Sequence, residues 1–191
     1  TYTTEEQRIQ WFIATPIDTS FPKLYILGMS NRSAKLAAQR GLPFVIARMG
    51  QSETDLHEAI STYRKYFKAY HGEINNAKPY VILATFVVTA PNLSRVKQLL
   101  HALQLWLMRI NYLNQPKSYP SIETAQNKHY SQRELEKLEK MKSKIIYGMP
   151  NDVAEQLTLL HQQFKVDEIL ILPHVFGEDA RMELVELIPN E

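Results

Sequence analysis

The chain contains no cysteine among its 191 residues. That excludes a disulfide framework, a thiolate nucleophile and a thiolate metal site, and a reducing cytoplasm is the expected compartment. An excess of one charge is also missing, since 22 Lys and Arg stand against 20 Asp and Glu for a formal charge of +2. No nucleic-acid partner is therefore expected. No apolar run approaches the ~20 residues of a membrane span, so no membrane partner is expected either. His-Glu-x-x-His, an Asp-rich calcium loop, a Walker loop and a Gly-x-Ser-x-Gly elbow are all absent, which removes the common metallohydrolase, P-loop and α/β-hydrolase readings. The six histidines, at 57, 71, 101, 129, 161 and 174, never pair at metal-ligand spacing, and no metal is expected. There is no initiator methionine and no basic-then-apolar leader; Thr1-Tyr-Thr-Thr-Glu-Glu-Gln7 opens like a capped helix. A processed chain, or part of something longer, is expected.

What is present is an alternation of apolar strands and capped helices. Residues 1–22 hold a short helix, Thr4–Ile13, and a Pro- and Ser-containing linker; residues 23–191 hold the rest. Leu24–Leu27 reads as a strand, Ser33–Arg40 as a helix ended by Gly41 and Pro43, and Leu42–Ala47 as a second strand. Ser52 caps a helix with Leu56, Ala59, Ile60, Tyr63 and Phe67 at helical spacing. Tyr80–Val88 lies in a nearly continuous apolar, β-branched run, as in a strand buried on both faces, and Pro91-Asn92 starts the next helix, with Val96, Leu99, Leu100, Leu103, Trp106 and Leu107. Asn111–Tyr130 has no sustained period and reads as a lid-like insertion, the most mobile internal segment. Ser131–Lys144 is a charged helix with a stripe through Leu135, Leu138 and Ile145; Pro150 opens a helix to Phe164, Val166–Leu172 is a strand with Ile169–Leu172 at its centre, and Gly177–Leu187 is the last helix. The class is α/β with parallel strands and right-handed crossovers.

The stretch after the first strand concentrates the chemistry. Gly28, Ser30, Asn31 and Ser33 sit where a helix opens beyond a strand, where unpaired N–H groups and the positive end of the helix dipole attract an anion. Ser and Asn are equally ordinary helix caps, so the stretch reads as a phosphate site or as plain capping. Arg48 and His174 follow strands, at the end where parallel α/β folds bind ligands, and each reads as a candidate ligand contact or as a structural residue. Thr85 and Phe86 fall inside a strand and read as core. Trp106, Tyr112 and Tyr119 flank the irregular segment and read as hydrophobic anchors.

Gly28-x-Ser30-x-x-Ser33-Ala-x-x-Ala-Ala38-x-x-Gly41-Leu-Pro43 resembles the flavin-phosphate region of the bacterial luciferase-like flavin monooxygenases. Tyr147-Gly148-x-Pro150-x-x-Val153-Ala-x-x-Leu157, then Val166–Leu172 and the helix around Phe176, Asp179, Ala180, Arg181 and Leu184, resemble the helix, strand and final helix that close the same barrel. Met149 departs from the Ser or Thr usual before that proline, which weakens the cap. The resemblance implies a partial (β/α)8 TIM barrel, strands five to eight, with the insertion at 111–130 and an amino-terminal half missing. It implies reduced FMN, delivered by a separate flavin reductase, and O2 as co-reactants, with a small organic substrate such as an aldehyde; Ser30 and Ser33 would bind the flavin phosphate. Deazaflavin-dependent hydride transfer, and flavin binding without turnover, are the alternatives. An amino-terminal half-barrel or a second copy of the chain is the implied partner.

Overall fold

The computed structural model describes residues 22–71, 77–110 and 117–188. The expected helix Thr4–Ile13 and nearly all of the linker lie outside them. β1 (Ile26–Gly28), β2 (Phe44–Ala47) and β3 (Val81–Thr89) run parallel in that order, with Leu27 opposite Val45 and Val45 opposite Ile82. β5 (Glu168–Leu172) pairs parallel with β3 from Ile82 to Phe86, and β4 (Ile146–Gly148) pairs parallel with its last three residues. The α/β class and the parallel pairing of the four expected strands thus hold, with each strand shifted by one or two residues. β4 corrects the sequence reading. Ile145, assigned there to a helical stripe, lies just beyond α5 (Gln132–Lys142), and Ile146–Gly148 are extended against β3.

Local chemistry explains the connections. α1 (Asn31–Arg40) begins two residues earlier than expected because Ser30 is its cap, and Gly41, at φ 64°, ends it with its N–H directed to the carbonyls of Ala37 and Ala38. Ala34, Ala37 and Ala38 are fully buried and let α1 approach its neighbours closely. α2 (Glu53–His71) is capped by Ser52, whose hydroxyl accepts from Asp55 N at 3.0 Å, and it buries all five residues of its expected stripe. Tyr63 closes the lower end of the sheet: its hydroxyl donates to Leu42 O at 3.0 Å and accepts from Tyr80 N at 3.1 Å. α3 (Leu93–Arg109) starts at the Asn92 cap, and α6 (Pro150–Phe164) at Met149, which makes no side-chain cap bond.

The two faces of the sheet differ. The largest core lies on one face, where Phe44, Ile46, Val81, Leu83 and Val87 pack under α1, α2 and α6. On the other face a small cluster of Val45, Ile82 and Ala84 with Leu172 draws only on strand residues among those described. On either side of it Leu27 and Leu170 are 69% and 42% exposed.

The segment expected to be a lid is built differently over its described part. α4 (Ile122–Gln126) is capped by Ser121, and Ala125, Tyr119 and Tyr130 pack with Ala102, Leu105 and Phe176. Residues 117–130 therefore contain a capped helix and are anchored by apolar contacts to α3. Residues 111–116 lie outside the described part.

Candidate functional site

The Gly28–Ser33 turn forms a closed polar unit at the carboxyl end of β1. Ser33 N donates to Ser30 Oγ at 3.3 Å, Ser30 N donates to Ser33 Oγ at 3.1 Å, and Ser33 Oγ donates to Ser30 O at 2.7 Å. This capping box satisfies two of the four free donors of the helix start and leaves the N–H groups of Asn31 and Arg32 with no acceptor in the turn. The first turn of α1 carries no acidic side chain. A shallow hollow of about 580 Å3 runs beside it, lined by Ser30, Arg32, Ser33, Lys35, Leu36 and Gln39. Open N–H groups, an exposed Ser30 hydroxyl and two neighbouring cations fit a phosphate. Asn31 serves the scaffold through Nδ2, which donates to Glu58 Oε1 at 2.5 Å. Gly28 is required by contact, since a Cβ there would overlap the Ser33 side chain.

Arg48 does not join this group. It follows Phe44 and Ile46 onto the helix-covered face, where its Nη2 donates to Ser143 O at 3.3 Å. Arg48 is thus separated from the Ser30 turn, and the loop after β2 brings Gln51 to it, whose Nε2 donates to Met29 O at 2.5 Å and ties the β1 and β2 loops together. His174 does lie beyond β5, but β2 and β3 stand between β5 and β1. At about 4.8 Å per strand, it is roughly 14 Å along the sheet from the Ser30 turn.

His174 sits in an aromatic cluster that sequence reading did not assemble. Its ring centroid is 5.8 Å from Phe86, 5.8 Å from Trp106 and 5.1 Å from Tyr119, and Trp106 stacks on Tyr119 at 5.2 Å. Tyr119 Oη donates to His174 O at 2.9 Å. Burial pushes the Tyr119 hydroxyl upward, and burial, then the Arg181 charge, lowers the His174 pKa below its ordinary 6.5. His174 is therefore a neutral imidazole at pH 7. Because the unfolded chain takes up this proton first, His174 makes stability fall as pH drops through the ordinary histidine range and on toward its lower folded value. Urea melts between about pH 7 and pH 5 should show a shallower loss of stability in His174→Gln than in the wild type; equal slopes would refute this reading. Among the described residues no cluster of His, Asp and Glu can hold a metal, and no helix is long and apolar enough to cross a membrane.

The sequence pattern of the family described as luciferase-like monooxygenase matches residues 1–165. The chain belongs to that family. The Bacillus subtilis (strain 168) protein YceB is 26% identical over 173 residues, which cover 91% of this chain and 51% of YceB. A luciferase-like monooxygenase of Escherichia coli (strain K12) is 26% identical over 164 residues, 86% of this chain and 48% of the relative. The chain spans about half the length of the curated relatives it matches. The crystal structure of apo-MsnO8 shares the fold, with a TM-score of 0.74 at 23% identity over 93% of this chain and 52% of MsnO8.

Proposed function

We propose that this luciferase-like chain supplies strands five to eight of a (β/α)8 barrel, as β1, β2, β3 and β5, and that the completed protein is a flavin-dependent monooxygenase. It takes reduced FMN from a separate reductase and uses O2 to oxygenate a small organic substrate such as an aldehyde. The observation that carries this reading is the Ser30-capped start of α1 at the end of β1, with its open N–H groups beside Arg32 and Lys35. The sheet's uneven covering supports it: parallel sheets are ordinarily covered on both faces, and here Phe86 and Val88 pack with α3 and α7 (Glu178–Leu187) while the cluster of Val45, Ile82 and Ala84 draws only on strand residues among those described.

The flavin, when bound, supplies the activation of O2. The residues of this chain bind and orient it. Ser30 Oγ and the N–H groups of Asn31 and Arg32 hold the phosphate, with Gly28 allowing Ser33 to close the turn. Ser33 supports Ser30 from behind, since its own hydroxyl proton is directed to Ser30 O.

Titration of oxidised and reduced FMN into the chain alone, and into the chain joined to an amino-terminal half-barrel, tests the assignment. The chain alone should bind weakly and turn over nothing. In the joined protein Ser30→Ala should weaken FMN roughly ten- to a hundredfold, the worth of one charge-assisted hydrogen bond. Unchanged affinity would refute the phosphate site. Oxygen uptake with a flavin reductase separates monooxygenation from deazaflavin-dependent hydride transfer and from binding without turnover.

A further inference from the structure

A cleft of about 420 Å3 opens on the helix-covered side of the sheet, between the carboxyl end of α5, β4 and α6. Leu159 and Leu160 form an apolar wall, and Arg48, Lys142, Ser143 and Gln156 bring polar groups to it. Arg48 is only 9% exposed, and its Nε and Nη1 are enclosed without an acceptor among the described residues. A buried guanidinium left with two unpartnered nitrogens is costly unless something supplies oxygens. The nearby carboxylates are otherwise engaged: Glu53 Oε2 accepts from Gln163 Nε2 at 3.1 Å, and Glu139 Oε1 lies 3.7 Å from Lys142 Nζ. Thr85 adds a second unsatisfied group. Ala47 pairs with Ala84, so Thr85 lies beside Arg48 on the neighbouring strand, and its buried Oγ1 has no partner among the described residues.

We propose that this cleft binds a small oxyanion, a carboxylate or phosphate with a short apolar body, through Arg48 and Lys142, with the body against Leu159 and Leu160. Arg48 turns its unpaired nitrogens toward the cleft as the anion enters, and Lys142 exchanges its long contact with Glu139 for the ligand. The site lies on the opposite side of the sheet from the strand cluster of Val45 and Ile82 and shares no residue with the Ser30 turn. It stands or falls independently of the flavin reading.

The test is calorimetric titration of the chain with inorganic phosphate and with butyrate, each against chloride at matched ionic strength. Saturable binding of at least one probe is expected, weakened at least about tenfold by Arg48→Gln. Glu139→Gln, which removes a repelling carboxylate beside Lys142, should tighten it. If Arg48→Gln fails to fold, Lys142→Gln replaces it, with a several-fold loss expected. Absence of saturable binding by both probes overturns the proposal, as does undiminished affinity in a folded Arg48→Gln or Lys142→Gln chain.

Discussion

Gly28→Ala should destabilise the chain by about 2–4 kcal/mol, from overpacking together with loss of a helix cap. The substitution adds one methyl group, but that methyl would occupy the space held by Ser33 Cβ and Oγ. Either β1 or the first turn of α1 must move. The movement would separate Ser30 from Ser33 and break the reciprocal bonds of the capping box. Ser33→Ala keeps the offending Cβ and should not rescue Gly28→Ala, whereas Ser33→Gly removes it and should recover the overpacking part and the bond from residue 33 N to Ser30 Oγ, leaving only the bonds of the Ser33 hydroxyl lost. Urea unfolding of the two singles and the double then gives a strongly non-additive cycle. Additive losses, or a Gly28→Ala chain as stable as the wild type, would show that the turn is looser than its contacts imply. In a flavin-binding form the same substitution should also abolish phosphate binding, since it displaces the N–H groups of Asn31 and Arg32.

How much of this was legible in the sequence depends on the kind of signal. Helical periodicity located α2 with all five of its buried residues and α3 with Val96, Leu99, Leu100 and Leu103, because a stripe of large apolar side chains leaves one face to bury, but it missed Ala102, Gln104 and Leu105. Capping chemistry located the starts of α1, α2, α3, α5, α6 and α7 to within two residues but missed α4 behind its Ser121 cap, and α1 was begun at Ser33 instead of Asn31 because Ser33 is as good a cap by type as Ser30. β4 was hidden because three residues carry no period, and Ile145 completes a helical stripe by spacing although it belongs to the approach to β4. Arg48 was placed at the correct strand end with no face assigned, although the alternation Phe44, Ile46, Arg48 that sets its face was present in the sequence. Tyr119 lies in an aperiodic segment, so only the folded backbone brings it onto His174. The family resemblance reached further than local patterning because it matched the order of several motifs over most of the chain.

Exposed Leu27 and Leu170 should make the isolated chain self-associate, and Leu27→Lys with Leu170→Glu should weaken that association at least tenfold. The two leucines are 69% and 42% exposed, and they border the strand-only cluster of Val45, Ile82 and Ala84. Among the described residues β1 pairs on one side only, with β2, so an unpaired edge accompanies the apolar face. Sedimentation across a range of concentrations measures the effect, and urea unfolding serves as the control. Because neither side chain supports the helix-covered core, the double substitution should change the stability of the isolated chain by less than about 1 kcal/mol. In a barrel completed by an amino-terminal half the outcome reverses. There the same lysine and glutamate would be buried beneath the added strands, and several kcal/mol of stability should be lost. A concentration-independent monomer in the wild type, or equal effects on the isolated and completed forms, would mean that this face is not the inside of a barrel.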